Sequence, residues 1–276
     1  MAELEFQMSG RYVTAKVARE LDRRLTERDR SITHSVLELR FMSAAQLARM
    51  HFADADPRAV RRSLLRLTRL DVLERLDRRV GGVRAGSAGF VYRLGLAGQR
   101  LALEHGWISD RRCRRSRIPG TLFLKHALQV AELHVRLVEA DRLGRVELLE
   151  RSAEPACWRQ FSSGIGASLL KPDSYVRLGI GDFEDSYFIE VDMGTEGSRA
   201  LRSQLRAYAS YYEAGIEQAE HGVFPRVLWL APDERRKLAI QGCVKQLTPA
   251  TRELFEVTQF NCVIEAITEG GAVSTH

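Results

Sequence analysis

Three carboxylates are the residues in this sequence best placed to do chemistry. Asp173 follows Pro172 in the stretch LLKPDSYVRLG, and Glu190 and Asp192 stand two apart in DSYFIEVDMG. On an extended strand, residues two apart point to the same face. A neighbouring strand carrying Asp173 would bring all three together. Hard oxygen ligands of this kind suit Mg²⁺ or Mn²⁺. Such an ion activates water and offsets charge on a scissile phosphate. Cations stand near them in the sequence. Lys171, two before Asp173 on the same strand face, is the nearest; Arg202 and Arg206 lie on the helix that follows.

A second group of residues suits a polyanion. Residues 1–117 hold 25 Lys and Arg against 14 Asp and Glu, while the rest hold 17 against 22. The basic excess therefore belongs wholly to the first part, which suits contact with nucleic acid. Arg58, Arg61, Arg62, Arg66 and Arg69 crowd the segment RAVRRSLLRLTRL, and Arg78, Arg79 and Arg84 follow in DRRVGGVR. Arginine holds a phosphate or a guanine edge through two bonds. Another basic stretch, residues 110–117, has five arginines in eight positions.

The elements that must position these residues follow from periodicity. Residues 1–30 read as a polar arm or a short polar helix. From Ser31, Ile32, Val36, Leu37 and Leu39 make one apolar helical face, with Ser31 or Thr33 as cap. Ser43 caps a second helix, with Leu47 and Phe52 inward. Asp56 and Pro57 suit the cap and first turn of a third helix, whose buried stripe is Val60, Leu64, Leu67 and Leu70. Two strands, 73–80 and 90–94, flank Gly-rich turn signals. Helix, helix, arginine-rich helix and basic hairpin is the order of a winged helix-turn-helix, in which the third helix lies in the major groove. A helix over 98–105 closes the unit.

The second part opens with a long helix over 121–143. His126 and His134 on it read as structural. Strands over VELLERSAEPA, LLKPDSYVRLG and DSYFIEVDMG follow, then a helix over 198–219, the strand RVLWLAP, a helix over DERRKLAIQGCVKQL and a strand region over 254–267. The fold class expected is α+β or α/β: an N-terminal winged helix-turn-helix, then an α/β sandwich with a mixed sheet. The domain boundaries are 1–30 for the arm, 31–109 for the winged helix, 110–118 for a basic linker and 119–276 for the second domain.

Pro172-Asp173 followed by Glu190-Val191-Asp192 resembles the core of the PD-(D/E)XK nuclease superfamily. That resemblance implies metal-dependent cleavage, with Glu132 as the acid of the first helix and Gln204 as the helix glutamine. The superfamily's lysine position holds Asp192, so both an active nuclease and a non-catalytic scaffold remain open. The order of QLARMHF, RRSLLRL, HALQVAELH, LLKPDSYVRL, FIEVDMGTE and LRAYASYY is similar to that of the replication-relaxation family of bacterial plasmids and mobile elements. The resemblance covers roughly residues 32–232. It implies a role in replication or DNA relaxation, and E-x-D as the family's usual form. Glu196, in the matching Gly194-Thr195-Glu196, is expected to cap the next helix.

Three functions follow as expectations: a duplex-DNA-binding protein with a nuclease-like domain, a divalent-metal-dependent DNA endonuclease, and a winged-helix regulator with a dimerisation domain. Duplex DNA and a second copy of the chain are the partners expected. Four scattered cysteines, none in a CxxC pair, argue against a disulfide framework and a structural zinc site. No apolar run approaches the ~18–20 residues of a membrane helix, and the first residues lack a secretory pattern. The expected location is the cytoplasm, with no membrane contact.

Overall fold

The computed structural model of the protein describes residues 13–53, 55–79, 89–109, 113, 119–163 and 166–270. The chain divides into two compact units, Met1–Val135 and Arg136–His276. It is a mixed α and β protein.

In the first unit, helix α1 (Ala15–Asp22) is capped by Thr14 and buries Ala18 and Leu21. Of the two readings of residues 1–30, this stretch takes the helix, although the expected boundary assigns it to an arm. Helix α2 (Glu27–Leu39) starts four residues before Ser31. Thr26 and Asp29 form a reciprocal capping box, so the start lies within the charged run. Thr33, one of the expected caps, lies inside the helix and donates to the Asp29 carbonyl at 2.7 Å. A short strand β1 (Met42–Ser43) precedes helix α3 (Ala44–His51). Ser43 and Gln46 cap α3 in the same reciprocal way. Helix α4 (Pro57–Arg69) begins as its residues dictate: Asp56 accepts from the Arg58 N–H at 2.7 Å and Pro57 fills the first turn.

Strands β2 (Leu73–Arg79) and β3 (Phe90–Leu94) pair antiparallel, and β1 adds to the far side of β3, giving the order β1-β3-β2. The Gly-rich turn between them and most of residues 110–117 lie outside the described residues. Helix α5 (Leu96–Glu104) follows at once. Its cap, Gly95, lies against the Asp71 carbonyl, where an added Cβ would sit 2.1 Å from the oxygen. Both partners are backbone-adjacent, so the clash cannot relax through a side chain. Gly95→Ala is expected to cost about 1–3 kcal/mol, read as a lower midpoint in urea unfolding.

Helix α6 (Thr121–Arg142) spans the boundary between the units. Its first half belongs with the first unit, later than the 118/119 boundary expected. Leu124, Ala127 and Leu128 pack with Phe41, Leu76 and Val91, which explains the shift.

The second unit is built on five strands: β4 (Glu147–Ala153), β7 (Ser174–Ile180), β8 (Phe183–Val191), β9 (Arg226–Ala231) and β10 (Phe255–Gln259). Their order is β10-β9-β8-β7-β4. β4, β7 and β8 are antiparallel neighbours, and β8, β9 and β10 are parallel. A separate hairpin, β5 (Arg159–Ser163) with β6 (Gly166–Leu170), was not expected. The single strand read over residues 169–179 is thus the end of β6, then Lys171, Pro172 and Asp173, then β7. Proline cannot donate to a ladder, so the break falls there.

Helix α7 (Ser198–Glu213) and helix α9 (Glu234–Val244) make the crossovers between parallel strands. The expected helix over 198–219 is two: Gly215, at φ +69°, breaks it, and α8 (Ile216–His221) follows. α10 (Pro249–Arg252) is one turn. The expected final strand region is β10, a 3₁₀ turn (Phe260–Cys262) and helix α11 (Val263–Gly270). Tyr175, Phe188, Tyr208, Tyr211 and Val227 form one core of the unit. Leu201, Leu205, Trp229 and Ile240 form the other.

Candidate nucleic-acid interface and carboxylate site

Helix α4 sorts its arginines by the turn. At 3.6 residues per turn, positions 58, 62 and 69 fall on one face. Arg58, Arg61, Arg62 and Arg69 are exposed, while Leu64 and Leu67 are buried on the other side. Arg66 points elsewhere. Its Nη2 donates to both oxygens of Asp29, at 2.7 and 2.6 Å, tying α4 to α2. The Asp29 side chain is only 1% exposed. Burial pushes its carboxyl up, but hydrogen bonds from Arg66 and Thr26 outweigh that and hold it below the ordinary range. Arg66, one of the expected DNA contacts, is thus engaged by Asp29. Arg84 and the side chains of Arg78 and Arg79 lie outside the described residues.

Glu132 is also committed in the first unit. It accepts from Arg49 at 2.6 Å and from Gln46 at 3.3 Å. Both of these partners lie on α3. His134 is fully buried, as a structural histidine would be.

In the second unit, the register Ser174↔Ile189 places Asp173 beside the end of β8. Asp173 Oδ2 accepts from the Val191 N–H at 2.8 Å. Glu190 shares its strand face with Phe188, under α7, and is 4% exposed. Tyr208 donates its hydroxyl to Glu190 Oε1 at 2.5 Å, and Gln204, one turn earlier on α7, bonds the same carboxyl. Burial pushes the Glu190 carboxyl well above the ordinary range, and the Asp173 charge and that of Glu196 add to the shift. The bonds from Tyr208 and Gln204 oppose it without reversing it.

This shift has a sign. A carboxyl raised in the folded state stabilises most below its unfolded value, about 4.3. That contribution is lost as pH rises toward the folded value. Glu190→Gln keeps an acceptor for Tyr208 and removes the ionisation. The variant is expected to melt higher than the wild type at neutral pH, with the difference vanishing near pH 4. Equal melting curves at both pH values would show that Glu190 ionises without penalty.

Asp192 is not part of this pair. β8 ends at Val191, and Asp192 turns to α9. Its two oxygens accept from Arg236 Nε at 3.0 Å and Nη2 at 2.7 Å, a two-bond fork. Oδ1 also accepts from the Gly194 N–H. Lys171 is exposed and lies over the Trp158 ring, 4.9 Å from its centroid, instead of on a carboxylate. Arg202 is half-buried and Arg206 exposed on α7. Glu196 is exposed and does not cap α7; Gly197 occupies that position, with no side-chain bond.

The site thus gathers Asp173 and Glu190 but not the expected three carboxylates with a lysine. Among the described residues no group of three His, Cys, Asp or Glu side chains is placed to hold a metal ion. The two oxygens of Asp192 are taken up by the Arg236 fork, and burial pushes the Glu190 carboxyl up. The residues present do not fit a Mg²⁺ or Mn²⁺ centre of the kind expected. Arg236 is the residue that sequence reasoning missed. Nothing in its local pattern marks it, because its partner lies 44 positions away.

No helix among the described residues is long and apolar enough to cross a membrane. No curated protein and no solved structure matches the chain. A family model described as replication-relaxation matches residues 34–227, from α2 into β9 and so more than half of the chain. The arginine-bearing helix and the Asp173–Glu190 pair both lie inside that match, and the chain belongs to the replication-relaxation family.

Proposed function

We propose that this protein binds duplex DNA through its first unit, in the replication or relaxation of plasmid or other mobile-element DNA. Family membership suggests the process. The observation that carries the DNA reading is the exposed face of α4 with Arg58, Arg62 and Arg69. Three further features support it. The element order α2-β1-α3-α4-β2-β3, with its three-stranded antiparallel sheet, supports a winged helix-turn-helix reading. In that arrangement α4 enters the major groove. The basic excess of the chain lies in residues 1–117. α4 is also held rigidly, by Asp56 at its start and by Arg66 on Asp29.

The second unit serves this reading as a nuclease-like scaffold that does not cleave. Its three antiparallel strands, crossover helix and parallel strand, with Asp173 beside Glu190, support the PD-(D/E)XK-like reading. The fork from Arg236 to Asp192 stands in place of a catalytic set.

Fluorescence anisotropy of a labelled mixed-sequence duplex tests the DNA reading. Saturable binding that weakens with added salt is expected; no binding at low salt would contradict it. A bound site with two half-repeats would instead indicate a paired regulator. The Asp173–Glu190 contact is the one observation favouring an endonuclease. Supercoiled plasmid incubated with Mn²⁺ or Mg²⁺, against EDTA, separates the readings. The scaffold reading expects no nicking. Metal-dependent nicking lost in an Asp173→Ala, Glu190→Ala variant would replace it with the endonuclease.

A further inference from the structure

The first unit contains a cavity of about 570 Å³ between α3, α4 and the β2–β3 pair. It opens to the surface, and small-molecule sites run to roughly 300–1,000 Å³. The space has a cause in the sequence. Small residues, Ala44, Ala45 and Ala48, face it from α3, and the larger walls are Leu64, Phe52 and Phe90. Among the described residues, the charged ones lining it are all arginines: Arg49, Arg61 and Arg75. Arg49 is engaged with Glu132. Arg75 lies over the Phe90 ring at 4.4 Å, and its charge reaches the Tyr92 hydroxyl, which burial pushes up. An apolar chamber whose charged lining, among the described residues, is arginine complements one kind of occupant.

We propose that this cavity binds a small organic anion with an apolar body, of the aromatic or short-chain carboxylate class. The body fills the space left by the α3 alanines against Leu64 and Phe90. The carboxylate meets the planar fork of Arg75, which suits two-bond recognition. Arg61 adds positive potential at the same rim. The cavity lies within one unit and needs neither DNA nor the carboxylates of the second unit.

The test uses the full chain and two matched probes, 2-naphthoate and its neutral isostere 2-naphthylmethanol, titrated by calorimetry. Two variants divide the site: Ala48→Trp fills the space and Arg75→Gln removes the charge. Thermal unfolding checks that each variant folds. The wild type is expected to bind naphthoate at one site, about tenfold tighter than the alcohol. Arg75→Gln should erase that preference, and Ala48→Trp should abolish binding of both probes. If Ala48→Trp fails to fold, the exposed Arg75 position decides the matter alone. Absence of saturable naphthoate binding, equal affinity for the two probes, or binding unchanged in Arg75→Gln would overturn the proposal.

Discussion

Replacing Arg236 with Ala is expected to lower the stability of the second unit by about 3–5 kcal/mol. The Asp192 side chain is 3% exposed and Arg236 13%, so the pair is nearly dry. Removing the guanidinium leaves an aspartate whose remaining side-chain hydrogen bond is from the Gly194 N–H. The loss is expected to be specific to the unmatched charge. Asp192→Leu combined with Arg236→Met should recover most of the stability, because a buried ion pair replaced by apolar residues of similar volume is often neutral. Chemical unfolding of the wild type, Asp192→Leu, Arg236→Met and the double variant gives the coupling directly. A loss under about 1 kcal/mol in Arg236→Ala would place the pair among surface ion pairs. The argument that Asp192 is occupied would then fail, and with it the chief reason for calling the second unit a scaffold.

The triple variant Arg58→Ala, Arg62→Ala, Arg69→Ala is expected to lose duplex affinity on the order of 100-fold near physiological salt. Three lost phosphate contacts, at a slope of about 0.9 each, give that size. The three side chains are exposed and lie away from Leu64 and Leu67, so the melting temperature should stay within a few degrees. Arg66→Ala makes an instructive contrast. It strips the partner from Asp29, which is 1% exposed, so it should lower the melting temperature first and affinity only through the fold. A helix whose arginines were merely solvated would show neither pattern of binding loss.

Local signals in the chain carried much of the fold. Asp56 and Pro57 announce the start of α4, and Ser43 that of α3, because cap and first-turn chemistry is decided within four residues. The Asp173–Glu190 meeting was also legible, since two alternating strands joined by a short turn admit few registers. What escaped depends on distant partners. Arg66 looked like its neighbours until Asp29, 37 positions away, claimed it. Glu132 resembled a nuclease acid, but Arg49 and Gln46 hold it in the first unit. Asp192 was read as continuing β8, yet the strand ends one residue earlier and the side chain turns to Arg236. The strand β1 and the β5–β6 hairpin are too short or too polar to stand out by periodicity.

The central claim is that the exposed arginines of α4 neutralise DNA phosphates. Its most direct test is the salt dependence of duplex binding, measured for the wild type and the triple variant over the same salt series. The logarithm of affinity should fall linearly with the logarithm of salt for both proteins, with the wild-type slope steeper by about 2.7. Parallel lines of equal affinity would contradict the claim, and would show that whatever DNA binding the chain has lies outside α4.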